Sequence, residues 1–218
     1  MSRRALWVVV LAISIWWVWP RSRTIDVQPV IPGQGIILSA DVSFCPMPPI
    51  VVSNEPPLQT DAVPKRAFPR LHDSKLTALA GFSVEALVLG RKTYRFGREA
   101  DFSPLDLALG WGRMRDGDVL AKLDIRQGGR WYNYRWQDEP PLPVAEIIHS
   151  SANMHMVPAD ASVASALDHI EVGDMVRIDG WLVQIESTDG WRWRSSLTRT
   201  DSGAGACELV YVCSVTRY

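Results

Sequence analysis

The distribution of proline does most to limit what this chain can fold into. Of its 15 prolines, all but five lie between Pro20 and Pro69. Proline fixes φ and lacks a backbone donor, so runs such as Pro46-Met47-Pro48-Pro49 exclude a continuous helix or a central strand. Short apolar patches interrupt the stretch, which a fully solvated segment would not need. We predict a semi-rigid, extended linker over residues 24–70 that docks in part on the following domain and adds an edge strand; a disordered linker is the alternative.

An uncharged apolar run precedes the linker. Residues 5–19 lie between the basic pairs Arg3-Arg4 and Arg21/Arg23 and include four tryptophans. A helix of this length covers about 22 Å, less than the ~30 Å hydrocarbon core, but indoles prefer the headgroup zone and arginines reach outward to it. No small-residue cleavage site follows the run. We expect residues 1–23 to be an uncleaved signal anchor that spans the membrane once; a cleaved signal peptide and a buried helix are the alternatives.

Residues 71–218 are enough for one domain with its own core. Their charge is uneven: residues 91–135 carry ten Lys or Arg against six acids, whereas residues 136–190 carry one against ten. We expect these opposed blocks to face each other; a local patch for an anionic ligand is the alternative. The whole chain has a net charge of −1, without the basic excess of a nucleic-acid-binding module, so no nucleic-acid partner is expected.

Apolar periodicity predicts an α+β domain of antiparallel strands with two or three short helices. Helices are expected to begin at Ser103-Pro104, at Pro143 and at Asp160, each of which suits a helix start. The inward positions of one strand change parity at Gly180, as in a strand bent at a barrel corner. Residues 172–217 are therefore predicted to form a small barrel-like β unit. The strand patterns cover residues 82–94 with a bulge at Gly90, 123–136 as a hairpin turning at Gly128-Gly129, 176–185, 191–194 and 209–215.

The chain has an odd number of cysteines, Cys45, Cys207 and Cys213. Cys207 and Cys213 are expected on one strand, about 20 Å apart, which is too far for a disulfide bond. In an oxidising compartment one pair and one leftover cysteine are expected. Cys45 is then the partner of either Cys207 or Cys213, and the bond would fix the proline-rich segment to the domain.

One polar segment suits the binding of an anionic group or a sugar. Residues 193–201 combine arginines, hydroxyls and an indole, and guanidinium groups bind phosphate or carboxylate. On a strand, however, alternation would send Trp193 inward and the arginines into solvent. Glycine turns in this region suit loops presented by rigid strands. The predicted ligand-binding residues are Asn153, His155, Arg194, Ser196, Arg199 and Asp201.

No complete catalytic or metal-binding motif is present. His149 and His155 are six residues apart, not on one helical face, and have no carboxylate nearby in the sequence, so neither a metal nor another cofactor is expected. We expect a non-catalytic binding or assembly module with a protein partner. The alternative is a hydrolase or transferase in which His155 is the base for Cys207 or a nearby serine, Ser195 or Ser196. Cys207 would equally suit packing as a small buried side chain.

Three segments, residues 153–159, 173–183 and 194–208, together resemble a group of functionally uncharacterised bacterial envelope proteins with a signal anchor and a small extracytoplasmic domain. The resemblance covers roughly the last third of the chain and the layout of the anchor. It implies an envelope protein but no activity, and no catalytic residue carries over from it. Together with the short tail before the apolar run, it predicts a bacterial inner-membrane location with the domain facing the periplasm.

Overall fold

The computed structural model describes residues 45, 56–61, 63, 68–198 and 207–218. The described residues do not include residues 5–19, most of the linker, or the predicted site residues Arg199 and Asp201. In the part of the chain that is described, no helix is both long and apolar enough to cross a membrane. The signal anchor and its orientation therefore stay predictions.

The described part consists mostly of strands with a few short helices, in agreement with the predicted α+β class. The strands are β1 (Leu58–Thr60), β2 (Lys75–Thr93), β3 (Leu105–Gly110), β4 (Asp124–Gly128), β5 (Trp131–Arg135), β6 (Ser151–Pro158), β7 (Met175–Glu186), β8 (Arg192–Arg194) and β9 (Glu208–Arg217). The helices are α1 (Arg98–Phe102), α2 (Gly117–Leu120), α3 (Val144–His149) and α4 (Ala161–Asp168), with a 3₁₀ turn at Gly112–Arg115.

Seven strands form one sheet in the order β1-β2-β3-β6-β9-β7-β8, and β4 and β5 form a separate hairpin. The long strand β2 also pairs with β7: its residues 75–87 face β7 and its residues 87–93 face β3. Five of the strands are thus joined in a circuit, in which each pairs with the next in the order β2-β3-β6-β9-β7 and β7 pairs back with β2. Within this circuit only β6 and β9 run parallel. Two register shifts bend β2, and the second is the predicted bulge next to Gly90.

Residues 172–217 do not close into a barrel of their own within the described residues, contrary to the prediction. Their strands join the seven-stranded sheet because β7 pairs along most of its length with β2, which lies far earlier in the chain. The predicted bend at Gly180 is present: β7 and β9 shift register there, and a Cβ on Gly180 would overlap the carbonyl oxygen of Tyr211. Periodicity therefore indicated where the strand bends, but not which distant strand it joins.

The helix predicted from Ser103-Pro104 is wrong, because the residues after Pro104 form β3. All six residues of β3 are buried, and both edges of the strand are paired, to β2 and to β6. The alternating leucines therefore outweigh the residues typical of a helix start. The helices predicted at Pro143 and Asp160 are confirmed as α3 and α4. The Asp160 side chain accepts the N–H of Val163 at 2.9 Å, which caps α4.

The largest core cluster lies on one face of the five-strand circuit, and α4 packs against it. Its members include Phe82, Val84, Leu107, Met154, Ile178 and Val210, with Val163 and Leu167 from α4. A second cluster surrounds Trp181 and Tyr211, and a third packs the β4–β5 hairpin against β2 and α3. Because successive strand side chains point to opposite faces, the polar residues that alternate with these core residues point the other way.

Several contacts join the described part of the proline-rich segment to the domain, among them a disulfide, a strand pairing and the packing of Phe68 on Trp181 and Tyr211. Cys45 forms a disulfide with Cys213, with the two Cα atoms 5.4 Å apart, and Cys207 is free. The structure thus selects Cys213 between the two partners that the sequence left open. β1 pairs with β2 at the edge of the sheet, which is the edge strand expected of the linker.

The opposed charge blocks are in contact at some positions, while other arginines pair within their own block, such as Arg126 with Asp124. Ion pairs join the two blocks at Arg91–Asp168, Arg98–Asp189 and Arg113–Glu146. Because most of these side chains are well exposed, the pairs neutralise charge more than they stabilise the fold.

Candidate functional site

A buried carboxylate lies at the centre of a polar region on the sheet. Asp106, on β3, is 0% exposed. Antiparallel register sets it opposite His155 on β6, and sets Ala108 opposite Asn153. Directly opposite residues point to the same face of a sheet. Asp106, Asn153 and His155 therefore lie together, on the face turned away from the leucines of β3.

The β4–β5 hairpin covers this face. Its two turn residues, Gly129 and Arg130, have positive φ angles of 60° and 68°, as a two-residue type I′ turn requires. Gln127 approaches β2 at Gly90, where a Cβ would lie 2.9 Å from the Gln127 Oε1. The glycine predicted as a bulge therefore also makes room for the hairpin.

Side chains from the hairpin and from β6 contact Asp106. Arg130 Nη1 donates to Asp106 Oδ1 at 2.6 Å, and Asn153 Nδ2 donates to Oδ2 at 3.4 Å. His155 Nδ1 lies 2.9 Å from Oδ1, but its direction does not suit a hydrogen bond, and it makes none with the described residues. Gln127 Nε2 donates to Asn153 Oδ1 at 2.7 Å. Such partners are needed because an unpaired buried carboxylate is costly. We call Asp106, Arg130, Asn153, His155 and Gln127 the Asp106 network.

Aromatic rings surround the guanidinium group of Arg130. Its Cζ is 3.8 Å from the ring centroid of Tyr94 and 5.6 Å from that of Trp193, both within the range of cation–π attraction. The backbone N–H of Arg130 donates to the Tyr94 hydroxyl at 2.9 Å. Burial is the main cause that raises the pKa of Tyr94, so this phenol is protonated at neutral pH. The ring of Trp193 also contacts His155, with the centroids 4.9 Å apart.

Cys207 lies at the margin of the network, directly before β9. Its Sγ is 4.0 Å from Asn153 Nδ2 and 3.8 Å from the carbonyl oxygen of Arg130. Burial raises the pKa of this thiol to about 11; the Asn153 contact lowers it, and the charges of Glu208 and Asp106 raise it further. Reactive cysteines have lowered pKa values. The thiol is therefore not activated as a nucleophile at neutral pH.

Of the predicted ligand-binding residues, the network contains Asn153 and His155. Arg194 lies elsewhere: it is exposed on β8, and its Nη1 donates to Gln184 Oε1 at 2.9 Å. Its neighbour Trp193 points the other way, toward the network, because strand side chains alternate between faces. An inward indole and outward arginines are one of the two interpretations that the sequence allowed.

The serines proposed as nucleophiles are bonded to the backbone. Ser195 Oγ donates to the carbonyl oxygen of Ser196 at 2.8 Å and accepts the N–H of Leu209 at 3.0 Å. Ser196 Oγ donates to the carbonyl oxygen of Thr198 at 3.0 Å. A hydroxyl has one proton to donate. In this arrangement neither serine offers that proton to His155.

Five residues that build this region are not among the predicted site residues: Asp106, Arg130, Gln127, Tyr94 and Trp193. The alternation in Leu105-Asp106-Leu107 gives no sign of burial, because it places the acid on the face opposite the leucines, which is usually the solvent face. One signal in the sequence points to Arg130. An arginine in a tight glycine turn occupies a backbone conformation that favours glycine or asparagine, and such positions cluster at functional sites.

Two exposed aromatic residues are chain neighbours of the Tyr94–Arg130 pair. Phe96, in the loop between β2 and α1, is 92% exposed, and Trp131, next to the hairpin turn, is 40% exposed. The Phe96 loop is held at its base, where the N–H of Tyr94 donates to the carbonyl oxygen of Pro104 at 2.8 Å. Aromatic side chains on a fixed loop are suited to contact a partner.

Two open cavities in the described part of the chain lie away from the network. One of about 930 Å³ is at the base of the hairpin, beside Trp136, and one of about 530 Å³ is beside α4. Neither is lined by a residue of the Asp106 network. Within the described residues, no group of three or more His, Cys, Asp or Glu side chains is placed to hold a metal ion.

No protein-family model, no curated protein and no solved structure matches the chain. The resemblance to bacterial envelope proteins therefore stays a prediction. Function has to be inferred from the geometry of the site rather than from a relative.

Proposed function

We propose that this chain is a single-pass bacterial inner-membrane protein whose periplasmic domain is a non-catalytic module that binds a protein partner. Residues 5–19 are its anchor. The disulfide between Cys45 and Cys213 supports the location, because structural disulfides persist in oxidising compartments such as the periplasm and are rare in the cytosol.

The strand order supports a binding role. The circuit of five strands, with one parallel contact and with α4 between β6 and β7, fits a small, partly open Greek-key barrel. Barrels of this kind bind oligonucleotides and oligosaccharides on the face of their second and third strands and in the adjoining loops. In this chain those strands are β3 and β6, which carry Asp106, Asn153 and His155. This likeness of fold supports a binding face without naming a ligand.

The observation that carries the proposal is the pairing within the network. Asp106 and Arg130 neutralise each other, and the thiol of Cys207 and the hydroxyl of Ser195 are not prepared to attack a substrate. A hydrolytic site needs a nucleophile in contact with a base. The exposed Phe96 and Trp131 beside the network provide a surface of the kind that protein partners contact.

A hydrolase or transferase based on His155 is the second candidate, and one contact favours it. Asp106 lies 2.9 Å from His155 Nδ1, where a nucleophile–base–carboxylate triad holds its orienting carboxylate. The nucleophile in this alternative is Cys207 or a nearby serine, and the raised pKa of the Cys207 thiol counts against the first of these.

Photocrosslinking in living bacterial cells tests the binding module. A photoreactive phenylalanine analogue replaces Phe96 or Trp131 in the full-length chain, and Val172, which is 62% exposed, is the matched control position. We expect crosslinked protein adducts in the membrane fraction from positions 96 or 131, and none from position 172.

Two outcomes would contradict the proposal. One is a folded, disulfide-bonded protein that gives no adduct at either position. The other is turnover of an ester or peptide substrate that is lost in His155→Ala or in Cys207→Ala while the fold survives, which would favour the enzyme. Membrane fractionation with intact-mass measurement tests the anchor, because a cleaved signal would leave a soluble chain about twenty residues shorter.

A further inference from the structure

The surroundings of Arg130 have the composition of a cation-binding cage. A carboxylate, Asp106, contacts the guanidinium group at 2.6 Å. The rings of Tyr94 and Trp193 lie 3.8 Å and 5.6 Å from its Cζ. Aromatic rings with a nearby carboxylate are how proteins recognise organic cations.

The cage and the cation belong to different parts of the fold. Asp106 lies on β3, Tyr94 directly follows β2, and Trp193 lies on β8, so the main sheet supports all three. Arg130 is at the turn of the β4–β5 hairpin, whose strands pair only with each other among the described strands. The hairpin is therefore attached to the sheet by side-chain contacts and not by a backbone ladder.

The backbone of Arg130 suggests that the residue is there for its side chain. Its φ of 68° lies in the left-handed region, where type I′ turns normally have glycine, asparagine or aspartate. An ordinary hairpin turn would have a small residue at this position. The strained position instead delivers a guanidinium group into the cage, and strain of this kind is found where function requires it.

We propose that Asp106, Tyr94 and Trp193 form a binding site for a guanidinium or primary ammonium group, and that Arg130 is its internal, displaceable occupant. The external ligand is a basic side chain of the partner protein, so the inference rests on the proposed function and names the group that the module recognises. An internal occupant competes at an effective concentration in the millimolar range or above. The wild-type chain therefore binds a small cation weakly, and the site becomes measurable when Arg130 is removed.

Chemical rescue tests the site. The full-length Arg130→Ala chain in detergent micelles is titrated with methylguanidinium, with methylurea as the neutral analogue of similar shape, and thermal unfolding is followed. We expect a saturable rise of the midpoint, by about 4 °C at ten times the dissociation constant. The affinity should be at least about tenfold weaker in the wild type, where Arg130 competes.

Two further variants control the test. Arg135→Ala removes an exposed arginine from the same hairpin and should show no saturable effect. Adding Asp106→Asn to Arg130→Ala should abolish the rescue, because the carboxylate is gone. Arg130→Gln keeps most of the side-chain stem and is titrated in the same way, in case Arg130→Ala does not fold.

The proposal is overturned if folded Arg130→Ala or Arg130→Gln shows no saturable response, or if methylurea acts as strongly as methylguanidinium. It is also overturned if both variants fail to refold even with methylguanidinium present. Crosslinks at Phe96 combined with failed rescue would support the binding module and contradict the cation site. Rescue without crosslinks would support the cation site and contradict the protein-binding module.

Discussion

Replacing Asp106 by asparagine should destabilise the domain far more than a surface substitution does. The side chain is 0% exposed and pairs with Arg130, which is 19% exposed. Removing one partner of a buried ion pair typically costs about 3–5 kcal/mol, because the other charge is left without compensation. Arg130 lies at a hairpin tip and can turn partly toward water, so we expect the lower end, about 3 kcal/mol. At 2–4 °C per kcal/mol this is a fall of about 6–12 °C in the unfolding midpoint.

Urea unfolding of the full-length chain in detergent, followed by tryptophan fluorescence and circular dichroism, measures this change. Asp124→Asn is the matched control, since Asp124 forms an exposed ion pair with Arg126 on the same hairpin; it should leave the midpoint nearly unchanged. An Asp106→Asn chain within about 1 kcal/mol of the wild type would refute the reasoning. That result would mean that the carboxylate is not both buried and paired with Arg130.

Three further outcomes follow from the packing and the cysteines. Gly180→Ala should cost at least about 2 kcal/mol, because a Cβ there overlaps the backbone of Tyr211, whereas Gly128→Ala, with open space around it, should be nearly neutral in the same urea assay. Cys45→Ser should lower the free energy of unfolding by about 2–5 kcal/mol, and an equal loss should follow reduction of the wild type; no loss in either would argue against the bond. Burial raises the pKa of Cys207 from 9.0 to about 11, so the folded chain keeps a proton that the unfolded chain releases, and stability should fall as pH rises from 9 to 11. Cys207→Ala should show a smaller fall over that range, and a steeper one would contradict the assignment.

Most strands and two of the helices could be predicted because each leaves a local signal in the chain. Alternating apolar residues mark β7 and β9, and the Asp160 side chain marks the start of α4. Paired glycines mark the hairpin, although its turn, Gly129-Arg130, lies one residue after the predicted Gly128-Gly129. The helix predicted at Ser103-Pro104 shows the limit of this reasoning. Ser103 and Pro104 suit a helix start, and the prediction gave them more weight than the six-residue alternation that follows. The alternation decides the structure because β3 has a partner strand on each edge, and those partners cannot be read from the local sequence.

The site could be predicted only in part because its geometry is non-local. Asn153 and His155 are predicted as polar residues near glycine turns, but Asp106 reaches His155 only through the register of β3 with β6. Arg130 reaches Asp106 only because the hairpin folds back over that face. Neither contact is indicated by the sequence around Asp106 or Arg130. The positive φ of Arg130 is seen only in the structure. The sequence shows the unusual placement of an arginine directly after two glycines.

The way in which the hairpin is attached bears on whether the Asp106 network serves stability or recognition. Apolar side chains would hold a hairpin on a sheet as well as a buried ion pair does, since replacing such a pair with packed apolar residues is often neutral or stabilising. The base of this hairpin is held in that way, by the apolar cluster that includes Ile125 and Tyr132. The tip is held by polar contacts instead: the Asp106–Arg130 ion pair, and hydrogen bonds from the Arg130 N–H to the Tyr94 hydroxyl and from Asn153 Nδ2 to the Arg130 carbonyl oxygen. Elements held by few apolar contacts open locally at lower free energy than the whole domain unfolds. A tip that carries a strained arginine into a carboxylate and two aromatic rings is thus costly for anchoring alone, and is suited to releasing the cage to a competing cation.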